Sequence, residues 1–123
     1  MLKAILLVGT GGFAGSVLRY LISRFMAVQT TSSFPFGTFT VNILGCLIIG
    51  LIYGLGMKEL VSSEMRLLLA TGFCGGFTTF SSFSFEFMIL LREGYTGLAF
   101  LYAAGSMAVG LAAVWIGILI TKM

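Results

Sequence analysis

The chemistry available to this chain comes from uncharged donors. Between Thr71 and Glu86 it reads TGFCGGFTTFSSFSFE, six hydroxyls and three glycines inside an otherwise apolar segment. Gly75 and Gly76, followed by Thr78 and Thr79, weaken helix continuity, so carbonyls there are expected to lose the N–H four residues ahead. At membrane depth, protein, water or an ion must then satisfy them. Two readings follow. Free carbonyl oxygens suit a small hard cation, and would be doubled if two copies met at this point. Alternatively, the Thr hydroxyls close a simple glycine kink.

Phe80 and Phe83 stand three apart directly after this stretch, interleaved with Ser81 and Ser84. A phenyl ring has a positive edge. Ring edges and hydroxyls can therefore meet a small anion without a full positive charge, which would hold it too tightly for transit. Packing is the competing use of such a pair. Asn42 is alone in its apolar segment, and Tyr102 and Ser106, four apart, share a helix face. Together these residues form either a ladder of donors along a narrow path or hydrogen bonds between helices. Arg19, near one end of the first apolar run, is expected to snorkel toward the interface or to set a positive field at a vestibule. Glu86 closes the polar stretch and could pair with an arginine, though the sequence does not say which one.

These groups need elements to hold them, and the composition says which. The chain has 123 residues, 59% hydrophobic and 9% charged, against roughly 25% charged in an average soluble domain. Each spanning helix needs about 20 residues, so four fit. They are expected over about 2–27, 37–57, 65–91 and 96–121, within one domain. The sequence contains no His and no Asp, which removes Ser-His-Asp triads and HExxH zinc sites; an enzyme is not expected. Seven Lys and Arg are scattered singly, unlike a nucleic-acid-binding run. Cys46 and Cys74 form no CxxC pattern and are read as small packing residues. Small residues at four-residue spacing, Gly11 with Gly15, Gly50 with Gly54, and Ala104, Ala108 and Ala112, predict close helix contacts.

With four spans, Lys3, Lys58, Arg66 and Lys122 share one side, while Arg24 and Arg92, with Arg19 deeper, share the other. That bias is too slight to fix orientation firmly. Insertion both ways would allow an antiparallel dimer about a two-fold axis in the membrane plane; a fixed orientation with both termini in the cytoplasm is the alternative.

With these residues in view, the chain resembles the CrcB/Fluc family of fluoride channels across all four segments. The resemblance is carried by GGFAGSVLRY at 11–20, GTFTVNILG at 37–45, GGFTTFSSF at 75–83, and the Tyr102 and Ser106 pair. The chain departs from the family pattern at Ser82, where Thr is common, and at Cys46, where a small polar residue is usual. The resemblance implies an all-α membrane protein whose third helix is broken at its centre, a dual-topology antiparallel homodimer with two fluoride pores. It implies a structural sodium ion held by the main-chain oxygens of Gly75 and Thr78 from both subunits. Phe80 and Phe83 then match the aromatic box, Asn42 the pore-lining amide, Tyr102 and Ser106 the polar track, and Arg19 the arginine of the first helix. Passive fluoride export across the inner membrane of the cell would follow. The rival is a small proton-coupled multidrug exporter, which needs a carboxylate deep in its first helix; the first segment has none.

Overall fold

The computed structural model describes residues 1–123 as an all-helical chain. Four helices are long and apolar enough to cross a membrane: Leu2–Gln29, Phe36–Met57, Ser63–Arg92 and Thr96–Lys122. Each connection is closed by local chemistry. Pro35 precedes the second helix, where a missing N–H costs nothing. That helix stops as the Leu60 N–H bonds the Leu55 carbonyl at 3.1 Å and the Glu59 N–H bonds Gly56 at 3.0 Å, with Glu59 left-handed at φ 57°. The third span ends in the same motif around Gly94, φ 87°, with the Tyr95 N–H on the Leu90 carbonyl at 2.8 Å. At its start the Ser62 hydroxyl accepts the Met65 N–H.

The first helix lies along the first half of the third span, and the second helix along the fourth. Glycine sets both contacts. A Cβ on Gly15 would stand 2.1 Å from the Phe73 carbonyl oxygen, one on Gly76 2.4 Å from that of Gly12, and one on Gly50 2.3 Å from that of Val114. Backbones therefore touch directly, which is how helices adhere where lipid gives no hydrophobic drive. The small series Ala104, Ala108 and Ala112 departs from this pattern: it faces outward, and makes no such contact within the subunit.

Large apolar side chains cover the outside, among them Leu6, Phe13, Phe25, Leu101 and Trp115, and only 19 of 123 residues are buried. Such a surface is stable against hydrocarbon and not against water. This is a multi-pass membrane protein.

The third span is a bent, joined run. Residues Leu67–Cys74 form wide π turns, Gly75–Phe77 a last α turn, and Phe80–Arg92 a regular helix. Between them Thr78 (φ −87°, ψ 157°) and Thr79 (φ −150°, ψ 118°) are extended. The irregularity thus falls one step after the glycines. Gly75 and Gly76 remain helical, and the β-branched threonines, which suit extended backbone, take up the change of direction.

The Gly15 contact predicts a specific sensitivity. Gly15→Val should lower the thermal midpoint of the purified protein, because overpacking against backbone costs about 1–3 kcal/mol. Gly9→Ala should leave it unchanged, since nothing lies within 4 Å of that position. Equal midpoints for the two variants in a melting assay would remove the close contact from the account.

Candidate functional site

Two extended residues in a helix release a countable set of backbone groups. In a continuous helix Thr79 N–H would bond the Gly75 carbonyl; here it bonds Asn42 Oδ1 at 2.8 Å. The Thr79 carbonyl accepts from Asn42 Nδ2 at 3.1 Å. One amide side chain thus meets both main-chain groups of a single residue. Thr79 Oγ1 caps the following helix by accepting the Ser82 N–H at 3.2 Å. The Gly76 carbonyl accepts from Arg19 Nε at 3.0 Å. Thr78 keeps its own N–H and its hydroxyl on the Cys74 carbonyl, at 3.0 and 2.9 Å.

After this accounting the carbonyls of Gly75, Phe77 and Thr78 receive no hydrogen bond within the chain. Phe77 is buried at 1% exposure, so its oxygen is shut in. Gly75 is exposed and Thr78 half-buried; both face an open groove of about 590 Å³. A Cβ at Gly75 would meet nothing within 4 Å. Two unpartnered carbonyl oxygens, on residues that line the groove at the middle of a span, fit a hard cation, whose ligands are oxygens. They also fit the closed-kink reading poorly, because the Thr78 hydroxyl turns back to Cys74 and leaves them free.

The second helix lends the groove Asn42, Gly45, Cys46 and Ile49; the third span lends Cys74, Gly75, Thr78, Thr79, Phe80 and Phe83; the fourth helix lends Ser106, Met107 and Gly110. The rings of Phe80 and Phe83 are 5.8 Å apart at 34°. Phe80 is 80% exposed, a large ring with no packing role inside the subunit. The Ser106 hydroxyl is buried and has no partner. The structure thus brings Asn42, Gly75, Thr78, Phe80, Phe83 and Ser106 onto one surface. Ser81, Ser84, Tyr102 and Arg19 do not line it.

Tyr102 is wholly buried, packed against Phe34 and Phe83, and its hydroxyl donates to Glu86 Oε2 at 2.9 Å. Thr38 Oγ1 donates to Glu86 Oε1 at 2.6 Å. The carboxylate therefore pairs with two hydroxyls and not with an arginine, a correction to the sequence expectation. Three spans meet at this one side chain. Thr38 and Glu86 also close the inner end of a second cleft, about 290 Å³, beside the first connection, where Ser23, Thr30, Ser32 and Ser33 supply hydroxyls. Sequence reasoning passed over Thr38; its hydroxyl in an apolar segment free of charged residues was the available signal.

Arg19 lies outside the groove and bonds the main chain of the third span. Its guanidinium reaches the Gly76 carbonyl, a partner that the sequence did not indicate. Helical side chains lean toward the N-terminus of their helix, and for Arg19 that direction leads back along the glycine face toward membrane depth.

The fold and the groove define a four-span helical membrane protein with unpaired main-chain oxygens and a few uncharged donors at mid-span. Residues 6–118 match the family model described as CrcB-like protein, Camphor Resistance (CrcB). The chain belongs to this family. It is 52% identical to the fluoride-specific ion channel FluC of Chlorobaculum tepidum over 100% of this chain and 98% of the relative. It is 49% identical to the FluC of Chlorobium phaeobacteroides, covering 98% and 94%, and 47% identical to that of Phocaeicola vulgatus, covering 95% and 97%.

Asn42 gives the sharpest test of this geometry. Asn42→Leu removes the partners of two main-chain groups, each worth about 1–3 kcal/mol when buried and unmet. Its thermal midpoint should fall well below that of Ser84→Ala, whose hydroxyl makes no hydrogen bond here. Equal stability of the two would show that the extended step does not depend on the amide.

Proposed function

We propose that this protein is a fluoride-selective passive channel. It works as a dual-topology antiparallel homodimer in the inner membrane of the cell, and its activity protects against fluoride toxicity. The observation that carries the reading is the extended Thr78–Thr79 step, which sets unpaired carbonyls, a ring pair and a partnerless hydroxyl on one open groove. The names of the relatives and their full-length similarity support the substrate. The near-even placement of Lys and Arg on the two sides supports insertion in both directions.

A second, inverted copy over the groove would cover Phe80 and Gly75, which are exposed in the single subunit. The central break of the third helix then lies where the two copies cross. The main-chain oxygens of Gly75 and Thr78, given by each subunit, would hold a structural sodium ion. When bound, that ion supplies the positive charge that unpaired carbonyls in hydrocarbon otherwise lack.

The remaining residues act on the anion. Phe80 and Phe83 offer ring edges, Asn42 its second amide hydrogen, and Ser106 its free hydroxyl; Ser81 and Ser84 extend the run of donors along the following helix. None carries a charge, so fluoride is stabilised against dehydration without being trapped. Tyr102 serves the path indirectly: its hydroxyl, with that of Thr38, is committed to Glu86 and fixes that carboxylate. No fuel is needed for export. A cell interior at negative potential repels an anion by about 2.3 kcal/mol per elementary charge per 100 mV.

Purified protein in liposomes should release fluoride far faster than chloride when followed with a halide electrode. Equal rates, or no release, would refute the channel. Phe80→Ile and Phe83→Ile should each slow fluoride by about tenfold or more, equivalent to about 1.4 kcal/mol on the barrier, while the dimer persists in gel filtration. Undiminished flux in both would reduce the rings to packing. Exchange of sodium for N-methylglucamine should slow fluoride release and loosen the dimer; unaltered behaviour would exclude the sodium site.

A further inference from the structure

We propose that Arg19 is a positioning residue for the main-chain cation site: by holding the Gly76 carbonyl it keeps the third span unwound, so that the Gly75 and Thr78 oxygens stay free. The proposal rests on the cation reading given above and concerns how this chain builds that site.

Four carbonyls could compete for an ion at the extended step, those of Gly75, Gly76, Phe77 and Thr78. Phe77 is buried. Gly76 is half-buried and lies directly beside Gly75, yet it alone of the four accepts a hydrogen bond, from Arg19 Nε at 3.0 Å. If the chain rewound, the Phe80 N–H would take the Gly76 carbonyl and the Thr79 N–H would take that of Gly75, erasing the ligand set. Arg19 opposes the first of these bonds and Asn42 the second. A charge-assisted bond is about twice as strong as a neutral one, so it competes well with a main-chain N–H.

The approach of the backbones makes the reach possible. A Cβ on Gly76 would stand 2.4 Å from the Gly12 carbonyl, so the two helices touch at this level. Arg19 is seven residues beyond Gly12, on the same helix face, and its side chain leans back toward the contact. The cost of a partly buried guanidinium in an otherwise apolar bundle is met by a carbonyl that no other group satisfies. Packing alone would not need a charge here.

The test reads sodium binding through stability and not through flux. Thermal midpoints of the purified full-length protein are measured in rising sodium chloride, with N-methylglucamine chloride holding ionic strength constant, for the wild type, Arg19→Lys and Arg19→Gln. The wild type should gain stability with sodium. In Arg19→Gln the half-saturating concentration should rise by about tenfold or more, the expected result of losing a hydrogen bond to a charged group. Arg19→Lys keeps a charged donor without the planar fork and should fall between the two. The same sodium response in wild type and Arg19→Gln would overturn the role of Arg19 while leaving the cation site standing. No response in the wild type would overturn the cation site itself. Should Arg19→Gln fail to fold, Arg19→Lys decides alone: a shifted half-saturation supports the proposal and an unshifted one overturns it.

Discussion

A main chain inside hydrocarbon has no water to fall back on, so each N–H or C=O released from a helix must find another partner or remain costly. This chain releases such groups where the third span turns extended, at Thr78 and Thr79. Most are recovered by side chains from other elements: Asn42 from the second helix, Arg19 from the first, and Thr79 itself as a cap. Of the three left over, that of Phe77 is buried, and those of Gly75 and Thr78 belong to residues that line the groove.

The glycines make this recovery possible without taking part in it. Arg19 can reach Gly76 only because Gly12, Gly15 and Gly76 let the first helix and the third span touch backbone to backbone. The contact of Gly50 with Val114 does the same for the second and fourth helices, and so fixes both long walls of the groove. A methyl group on Gly15, Gly50 or Gly76 would stand 2.1–2.4 Å from a facing carbonyl oxygen and push the two helices apart.

Glu86 ties the other end. Its two oxygens take hydroxyls from Thr38 and Tyr102, joining the second half of the third span to the second and fourth helices. The half-helix Phe80–Arg92 is thereby anchored on both sides of its aromatic pair, by the Asn42 bridge at Thr79 and by this carboxylate about two turns further on. Phe80 and Phe83 are held at a defined separation by that anchorage.

Composition and the spacing of charges were enough to read four apolar helices, the absence of histidine- and aspartate-based chemistry, and a polar interruption in the third segment, because each depends only on which residue types follow one another. The Gly11–Gly15 and Gly50–Gly54 spacings also indicated close contacts that the bundle contains. Ala104, Ala108 and Ala112 carried the same pattern and face outward, since spacing defines a helix face but not what covers it. Likewise the glycine pair marked the irregularity one step early: Gly76 is needed for its missing side chain against Gly12, and the extended dihedrals fall on Thr78 and Thr79. Partners were beyond the sequence altogether. That Arg19 meets a carbonyl 57 positions away, that Glu86 meets Thr38 and Tyr102, and that Asn42 bonds both main-chain groups of Thr79 are decided by helix rotation and depth. Those quantities follow from how backbones pack against one another, and no local run of residues encodes them.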